Sequence, residues 1–342
     1  MLVPLMLFSA TLTMAFTENC SNASSCSSCV KITNKYQLPI CVWCSTSKTC
    51  VGRWTLHCQY DRIIEQLECP SQPLLGYEYE DAFARNKMFP LSAAAHSTNP
   101  QLCLSNALDN AQLIRQITVR CDSVMYDNCS AYTAVSHAFG AIVISFRGTD
   151  GFVQLVNQGL TTIFSPEIDL QGAGKINKYF YDAFLCLWTA GLKNDLLAVI
   201  KKNPSYDLWI TGYSLGGAMA SIASTIIVRD GIYKAEKVKL VTFGQPRTGD
   251  HEYALTHNKL LYYTYRVIHQ NDIVPHIPPK NFKGYYHHLY EVWYNNSMDS
   301  GDPYVICTTP ECIDSNKKNL SIQDHLNYFG KNVVDYGDSG CE

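Results

Sequence analysis

The run Gly212-Tyr213-Ser214-Leu215-Gly216 constrains the fold of this chain most, because it joins segments of two different periodicities. Residues 206–211 are an apolar run that predicts a buried strand, and Leu215–Arg229 is rich in small and apolar residues and predicts a helix. A serine on a sharp strand-turn-helix junction has its hydroxyl lifted above the sheet, while the glycines let strand and helix approach. The junction therefore predicts a nucleophilic Ser214.

Strand and helix signals alternate from about residue 77 onwards. Residues 141–146 and 237–243 are apolar runs that predict further buried strands, and residues 182–201 carry apolar positions at helical spacing. Such alternation predicts a mostly parallel sheet with helices on both faces. The predicted class is α/β, an α/β-hydrolase fold preceded by a small disulfide-rich module.

The N-terminal module is indicated by eight of the fifteen cysteines in the chain. They are Cys20, Cys26, Cys29, Cys41, Cys44, Cys50, Cys58 and Cys69. An even number of cysteines in a segment too short for a sufficient core predicts four disulfides. The CxxC pairs leave zinc binding as an alternative. The pattern resembles the PSI module of plexins, semaphorins and integrins.

Export is the second inference from the N-terminal region. Residues 1–15 are apolar, lack Asp and Glu, and end in small residues, so we predict a signal peptide cleaved after Ala15; a buried N-terminal helix is the alternative. The module then spans residues 16–69, a linker 70–76 and the hydrolase domain 77–342. No later segment reaches 18 uninterrupted apolar residues, so we predict no transmembrane segment and a secreted, extracellular protein.

The charge of the chain restricts the classes of partner that it is expected to bind. The formal net charge is −3 and there is no block of Lys or Arg, which argues against nucleic acid and against strongly anionic membranes as partners. Four Asn-x-Ser sequons fit glycosylated surface loops. They begin at Asn22, Asn128, Asn295 and Asn319.

A serine nucleophile in this fold needs an acid and then a histidine downstream in the chain. Asp272 follows an apolar run and precedes a short polar turn and prolines, which predicts a position at the end of a strand. Asp250 is the competing acid, although aspartate is also a preferred helix N-cap. The run Gly337-Asp-Ser-Gly340 is similar to a protease serine motif, but too few residues follow it to build a barrel.

Five histidines are candidates for the base. They are His269, His276, His287, His288 and His325. His287 and His288 adjoin residues 289–294, which are predicted to form a strand, so a structural hydrogen bond is the expected role of these two histidines. His325 instead follows residues 321–324, which offer N-capping groups for a helix start. The residues alone leave this choice open.

Five motifs resemble the class 3 lipases, the fungal triacylglycerol lipase type, and extend over roughly residues 77–342. They are Phe146-Arg-Gly-Thr-Asp150, Gly212-Tyr-Ser-Leu-Gly-Gly217, Thr242-Phe-Gly-Gln-Pro-Arg247, Asn271-Asp-Ile-Val-Pro-His-Ile-Pro-Pro279 and Asp324-His-Leu-Asn-Tyr-Phe329.

The resemblance implies roles for individual residues. It implies Asp272 as the acid and His325 as the base, with His287 in a non-catalytic position. It further implies that Thr149 and Leu215 supply the oxyanion hole. A lid would span residues 151–163, a segment that is only moderately amphipathic here.

The resemblance also implies a disulfide between Cys103 and Cys341. Of the remaining cysteines, Cys121–Cys129 and Cys307–Cys312 would close short loops. Cys186 is left over within an apolar helix, where a free cysteine behaves as a small hydrophobe.

The expected function is a secreted serine carboxylic-ester hydrolase, most simply a triacylglycerol lipase that needs no cofactor or metal and acts on a lipid or ester substrate at a lipid-water interface. A phospholipase or small-ester esterase on the same fold is the first alternative, because fold does not settle substrate. The second is a binding protein that carries an inert hydrolase domain.

Overall fold

The computed structural model describes residues 20–56, 58, 61–121, 128–148, 166–280, 282–309 and 319–342. Contacts divide the chain into two compact units, Met1–Gln72 and Pro73–Glu342. The boundary between them falls inside the segment expected to be a linker, residues 70–76.

The N-terminal unit is a disulfide-rich module with a small antiparallel sheet. Its elements are α1 (Cys26–Val30), β1 (Cys41–Cys44), β2 (Thr49–Gly52), β3 (Arg62–Ile63) and a 3-10 turn at Gln66–Glu68. The disulfides are Cys20–Cys41, Cys26–Cys69, Cys29–Cys50 and Cys44–Cys58. Because these cysteines are paired with one another, they do not offer the thiolates that zinc binding requires.

Fourteen strands are described in the second unit. They are β4 (Gln112–Arg120), β5 (Asn128–Ser136), β6 (Ala141–Arg147), β7 (Glu167–Asp169), β8 (Lys175–Asn177), β9 (Asp207–Tyr213), β10 (Val238–Phe243), β11 (Gly249–Asp250), β12 (Tyr263–His269), β13 (Tyr285–Tyr286), β14 (Glu291–Tyr294), β15 (Val305–Cys307), β16 (Asn327–Tyr328) and β17 (Lys331–Asn332).

The central sheet of this unit has eight strands in the order β15-β14-β12-β10-β9-β6-β5-β4. The five strands from β6 to β14 pair in parallel, whereas β5 and β4 at one edge and β15 at the other pair antiparallel. The predicted mostly parallel sheet is therefore confirmed. Shorter ladders are formed by β13-β11-β8-β7 and by β16-β17.

Nine α-helical segments are described in the second unit. They are α2 (Asp81–Phe83), α3 (Phe89–Ala94), α4 (Pro100–Ala107), α5 (Lys178–Leu187), α6 (Lys193–Lys202), α7 (Leu215–Arg229), α8 (His251–Leu260), α9 (Ile322–Leu326) and α10 (Val333–Asp338). A π-helical turn joins α2 to α3 at Ala84–Met88, and another joins α5 to α6 at Trp188–Leu192.

Two hydrophobic cores lie on the opposite faces of the central sheet. Alternate side chains of a strand point to opposite faces, so Ile142 and Ile144 pack with α5 and α7, whereas Ala141 and Val143 pack with α3 and α4. This arrangement buries most of each parallel strand and leaves the carboxyl ends of the strands to carry the candidate site.

One helical stretch of the described residues, Lys178–Lys202, is long and apolar enough to cross a membrane by length and composition alone. Phe180, Phe184 and Leu196 of this stretch are fully or almost fully buried in the first core. The stretch is therefore accounted for as a core helix of the hydrolase unit.

The cysteines of the second unit are mostly paired. Cys103 is bonded to Cys341, across 238 residues, and Cys121 is bonded to Cys129. Cys307 is disulfide-bonded, while its expected partner, residue 312, lies outside the described residues. Cys186 is free. Each sequon asparagine, Asn22, Asn128, Asn295 and Asn319, has an exposed side chain, so glycosylation there stays a prediction compatible with the fold.

Candidate active site

Ser214 lies on a strained turn between β9 and α7. Its backbone has φ 57° and ψ −128°, a left-handed conformation that costs a non-glycine residue about 1–3 kcal/mol. The turn is held by the Ser214 N–H, which donates to the Phe243 carbonyl at 2.9 Å. A Cβ on Gly212 would lie 2.3 Å from the Gly216 carbonyl oxygen, and one on Gly216 would lie 2.2 Å from the Phe146 carbonyl oxygen. Both glycines of the motif are thus required by close backbone approach.

His325 stands between Ser214 and Asp272. Its Nε2 lies 2.9 Å from Ser214 Oγ and its Nδ1 lies 2.9 Å from Asp272 Oδ2. Asp272 and His325 are completely buried and Ser214 is 6% exposed. Because a carboxylate only accepts, Nδ1 carries the proton and Nε2 is left to accept from the serine hydroxyl.

The segments that carry the acid and the base are hydrogen-bonded to each other. Asp272 lies just after β12 and pairs with Ser321 in an isolated parallel bridge. Ser321 also caps α9, because its hydroxyl accepts from the Asp324 N–H at 3.0 Å. In return Asp324 Oδ2 accepts from the Asn271 N–H at 3.0 Å. These contacts fix the start of α9, and with it His325, against the loop of the acid.

The Asp272 carboxylate has two further donors. The Val274 N–H donates to Oδ1 at 2.8 Å, and the Tyr328 hydroxyl donates to Oδ2 at 2.6 Å. Burial, together with the negative charge of Asp272, raises the pKa of Tyr328 well above its ordinary value. Tyr328 is therefore a permanent neutral donor that helps to satisfy a buried carboxylate.

Tyr213 and Gly244 complete the surroundings of the histidine. The Tyr213 ring stacks on the His325 ring with centroids 4.8 Å apart, and its hydroxyl donates to the His325 carbonyl at 2.9 Å. Gly244 has φ +58°, and a Cβ there would lie 2.8 Å from both Asp272 Oδ2 and His325 Nδ1. The glycine leaves the space in which acid and base meet.

A second histidine, His96, lies near the site. Both of its ring nitrogens are enclosed and have no hydrogen-bond partner among the described residues. Burial, followed by the charges of Arg147 and His325, lowers the pKa of His96 to about 3. His96 is therefore neutral, and its ring lies 5.6 Å from that of Tyr213.

The competing acid and bases have other partners. Asp250 caps α8, where Oδ1 accepts from the Tyr253 N–H at 2.8 Å. His287 Nε2 donates to the Pro275 carbonyl at 2.7 Å, and His269 Nδ1 donates to the Asp324 carbonyl at 3.0 Å. His276 ends a 3-10 turn.

His288 belongs to a buried polar cluster under α7. Its Nδ1 donates to the Leu289 carbonyl at 3.0 Å, and its Nε2 lies 3.1 Å from Ser221 Oγ. Its ring stacks on that of His257 at 3.7 Å. Of the five candidate histidines, all of them described by the structure, His325 is therefore the one hydrogen-bonded to both Ser214 and Asp272.

The structure describes only one of the two residues that are expected to form the oxyanion hole. Leu215 is the first residue of α7, where backbone N–H groups have no partner within the helix. Thr149 and the expected lid, residues 151–163, lie outside the described residues. The preceding Gly148 packs tightly on Leu215, since a Cβ on it would lie 2.4 Å from the Leu215 Cβ.

Several of these residues have no individual signal in the sequence. Tyr213 and Tyr328 lie inside two of the five motifs. The motifs indicate that these tyrosines matter, but they do not indicate which residues the tyrosines contact. Gly244 stands inside a third. His96 has no motif around it, and only the folded chain brings it to the site.

Comparison with known proteins finds similarity to lipases. A family model described as lipase (class 3) matches residues 143–282. A lipase of Caenorhabditis elegans is 36% identical over 300 residues, which is 78% of this chain and 83% of that protein. The solved structure of Rhizomucor miehei triacylglyceride lipase superimposes with a TM-score of 0.64 at 25% identity, covering 75% of this chain and 97% of the other.

The fold is therefore that of the α/β hydrolases, and the chain is a carboxylic-ester hydrolase by its relatives. It belongs to the class 3 lipase family. The family match covers none of the cysteine-rich unit, so the resemblance of that unit to a PSI module stays a prediction.

Proposed function

We propose that this chain is a secreted triacylglycerol lipase that works through a Ser214–His325–Asp272 triad and an acyl-enzyme. The observation that carries the proposal is the unbroken hydrogen-bond chain from Ser214 Oγ through His325 to the buried Asp272 carboxylate, with 2.9 Å at each step. Buried nucleophile, base and acid in this order are the arrangement that activates a serine.

Acylation begins when His325 Nε2 takes the proton from Ser214 Oγ and the oxygen attacks the ester carbonyl carbon. The carbonyl oxygen becomes an oxyanion, which the N–H groups of Leu215 and Thr149 stabilise; one such donor typically contributes about 2.7–4 kcal/mol. His325 then returns its proton to the leaving alcohol as the ester bond breaks. Water, activated by the same histidine, releases the fatty acid from Ser214.

Asp272 acts on the reaction through His325. Its negative charge stabilises the imidazolium that forms during each transfer and holds Nδ1 as the protonated nitrogen. Tyr328 and Val274 keep the carboxylate in place, and the Tyr213 ring stacks on one face of the imidazole. Every step is a proton or acyl transfer between these groups, so the mechanism calls for no cofactor.

The choice of acylglycerols as substrates rests on the relatives. One solved relative is a triacylglyceride lipase of Rhizomucor miehei. Another relative, 30% identical over 209 residues covering 58% of this chain and 59% of that protein, is a secreted mono- and diacylglycerol lipase of Fusarium solani. Secretion is further supported by the six disulfides described, because such bonds persist in oxidising compartments.

The triad is tested by His325→Ala, with His287→Ala as its matched control. His325→Ala is expected to lower kcat on a soluble ester by roughly 10⁴–10⁶-fold, since the base is lost while binding remains. His287→Ala removes only a bond to a backbone carbonyl and is expected to affect stability while kcat stays within a few-fold. If His325→Ala kept more than about a tenth of kcat, another base would have to be sought.

The substrate class is tested by an ester series on the wild-type chain. Emulsified triolein, a phospholipid and a short water-soluble ester are compared under one set of conditions, and the specific activity is expected to be highest on triolein. Higher activity on the phospholipid or on the short ester would favour the phospholipase or esterase alternative. A chain that neither hydrolyses an ester nor reacts with a serine-directed fluorophosphonate would be the inert binding protein.

A further inference from the structure

The N-terminal unit exposes four large apolar side chains on two turns. Trp54 is 84% exposed and Leu56 81%, while Tyr36 is 70% and Leu38 61% exposed. We call these four residues the apolar tip. A single exposed apolar residue is ordinary in a protein surface, but several together mark an interaction site.

The two turns lie at the same end of the small sheet. The β1-β2 ladder begins at the pair Cys41 and Gly52. Beyond that pair the two chain segments stay adjacent, because the Arg53 N–H donates to the Ile40 carbonyl at 2.9 Å and the Arg53 guanidinium donates to the Pro39 carbonyl at 3.3 Å. Residues 36–38 and 54–56 therefore lie at the same end of the sheet, next to the joined residues 39–40 and Arg53.

The apolar tip is held in place by polar contacts of its own backbone. Asn34 Oδ1 accepts from the N–H groups of Tyr36 and Leu38 at 2.9 and 3.0 Å. The Arg62 guanidinium donates to the carbonyls of Arg53, at 3.2 Å, and of Thr55. Exposed apolar side chains on fixed turns lose little conformational freedom on binding, which favours association.

The charge around the apolar tip has one sign. The two segments that carry the tip, residues 33–40 and 52–56, contain no Asp or Glu and include Lys35 and Arg53. The tip is therefore locally cationic, although the chain as a whole has a formal net charge of −3. Lys35 Nζ lies 5.0 Å from the centroid of the Tyr36 ring, so a cation and an aromatic ring of the tip are adjacent.

We propose that the apolar tip binds an anionic phospholipid surface. Trp and Tyr rings prefer the headgroup level, leucines enter the boundary of the acyl chains, and Lys35 and Arg53 match the lipid phosphates. A protein partner is less favoured, because lysine is depleted in the cores of protein interfaces. The inference goes beyond ester hydrolysis, since it concerns a different unit and requires no reaction at Ser214.

The binding experiment uses the full chain carrying Ser214→Ala, so that the lipid is not hydrolysed. Vesicles of phosphatidylcholine with phosphatidylserine are sedimented with the protein, and vesicles of phosphatidylcholine alone serve for comparison. Adding Trp54→Ala and Leu56→Ala is expected to lower the partition coefficient on the mixed vesicles by at least about ten-fold. Adding Lys35→Glu is expected to weaken binding to the mixed vesicles more than to phosphatidylcholine alone.

The matched control removes two exposed leucines of the other unit, Leu75 and Leu197, which are 94% and 42% exposed. Leu75→Ala with Leu197→Ala is expected to leave vesicle binding unchanged. Equal binding by the tip variant and the parent, or an equal loss in this control, would overturn the proposal.

A second measurement separates lipid binding from catalysis. With Ser214 intact, the Trp54→Ala/Leu56→Ala variant is expected to hydrolyse a short water-soluble ester at the wild-type rate, which also reports that it folds. Its activity on a triolein emulsion coated with phosphatidylserine is expected to fall at least about ten-fold. Loss of the soluble-ester activity in this variant would instead contradict a purely surface role of the apolar tip.

Discussion

Tyr328→Phe removes one donor from the buried Asp272 carboxylate while the ring is kept. Asp272 accepts from Val274, His325 and Tyr328, and the Tyr328 contact is 2.6 Å long. A hydrogen bond to a charged group contributes about 1.5–3 kcal/mol, so the free energy of unfolding is expected to fall by that amount. Because two donors remain, the carboxylate keeps its place and kcat/KM is expected to fall only about ten-fold.

The assay compares urea unfolding and kcat/KM on a soluble ester at pH 7 with those of Tyr132→Phe. Tyr132 is another fully buried tyrosine, but its hydroxyl donates to an uncharged group, the Leu91 carbonyl, at 2.7 Å. The control is expected to lose about 1 kcal/mol of stability and no catalysis. If Tyr328→Phe lost no more stability than the control and kept its full kcat/KM, the hydroxyl of Tyr328 would not be coupled to the acid.

Three further predictions concern the candidate active site, the pH dependence of the folding stability, and the disulfide between Cys103 and Cys341. Gly244→Ala is expected to lower kcat/KM at least about ten-fold on a soluble ester, because its Cβ would lie 2.8 Å from Asp272 Oδ2 and the imidazole of the base. Burial, and then the charge of Arg266, lower the pKa of His257 from 6.5 to about 3. Below pH 6.5 the unfolded state therefore binds more protons than the folded state, and stability is lost as the pH falls. Urea unfolding at pH 5 is expected to show a loss of about 2 kcal/mol from this histidine. Replacing Cys103 and Cys341 together by Ser is expected to lower the free energy of unfolding by about 2–5 kcal/mol, because that disulfide closes a loop of 238 residues.

Each of these predictions has a control in the same chain. Gly231 has φ +67° and nothing within 4 Å of a Cβ, so Gly231→Ala reports the backbone strain alone and is expected to leave kcat/KM unchanged. His257→Gln, which does not titrate, is expected to show a shallower loss of stability between pH 6.5 and 5. Cys186→Ser removes the free thiol and is expected to leave urea unfolding within about 0.5 kcal/mol. Equal effects in variant and control would contradict the corresponding reasoning.

Local sequence was sufficient to predict the helices and strands whose apolar periodicity lies within their own residues. The helix over Leu215–Arg229 and the strands near residues 141, 207 and 238 follow from apolar periodicity beside a glycine-rich turn. The edge strands β4 and β15 and the inner antiparallel strand β5 were not predicted. β5 is buried because β4 and β6 flank it, and its core positions are small residues such as Ala131 and Ala134, which carry little apolar signal.

The residues of the candidate site likewise divide into those with a local sequence signal and those without one. Ser214 is indicated by its own turn, and Asp272 by the end of a strand followed by prolines. The hydroxyl of Tyr328 contacts Asp272 across 56 residues of sequence, and Tyr213 contacts His325 across 112 residues, so neither contact has a local signal. The pairing within the cysteine-rich unit was equally unreadable, because eight cysteines allow 105 connectivities.

The order of the triad along the chain has a consequence for biosynthesis. In the proposed mechanism nucleophile and acid precede the base, which follows Asp272 by 53 residues. A nascent chain that already presents Ser214 and Asp272 therefore still lacks the group that activates the serine. The α10 segment and Cys341 follow later still, and the disulfide of Cys341 with Cys103 forms only after all three triad residues have been synthesised. In the proposed mechanism, hydrolysis therefore begins only after His325 has been translated and the start of α9 has folded against the loop of Asp272.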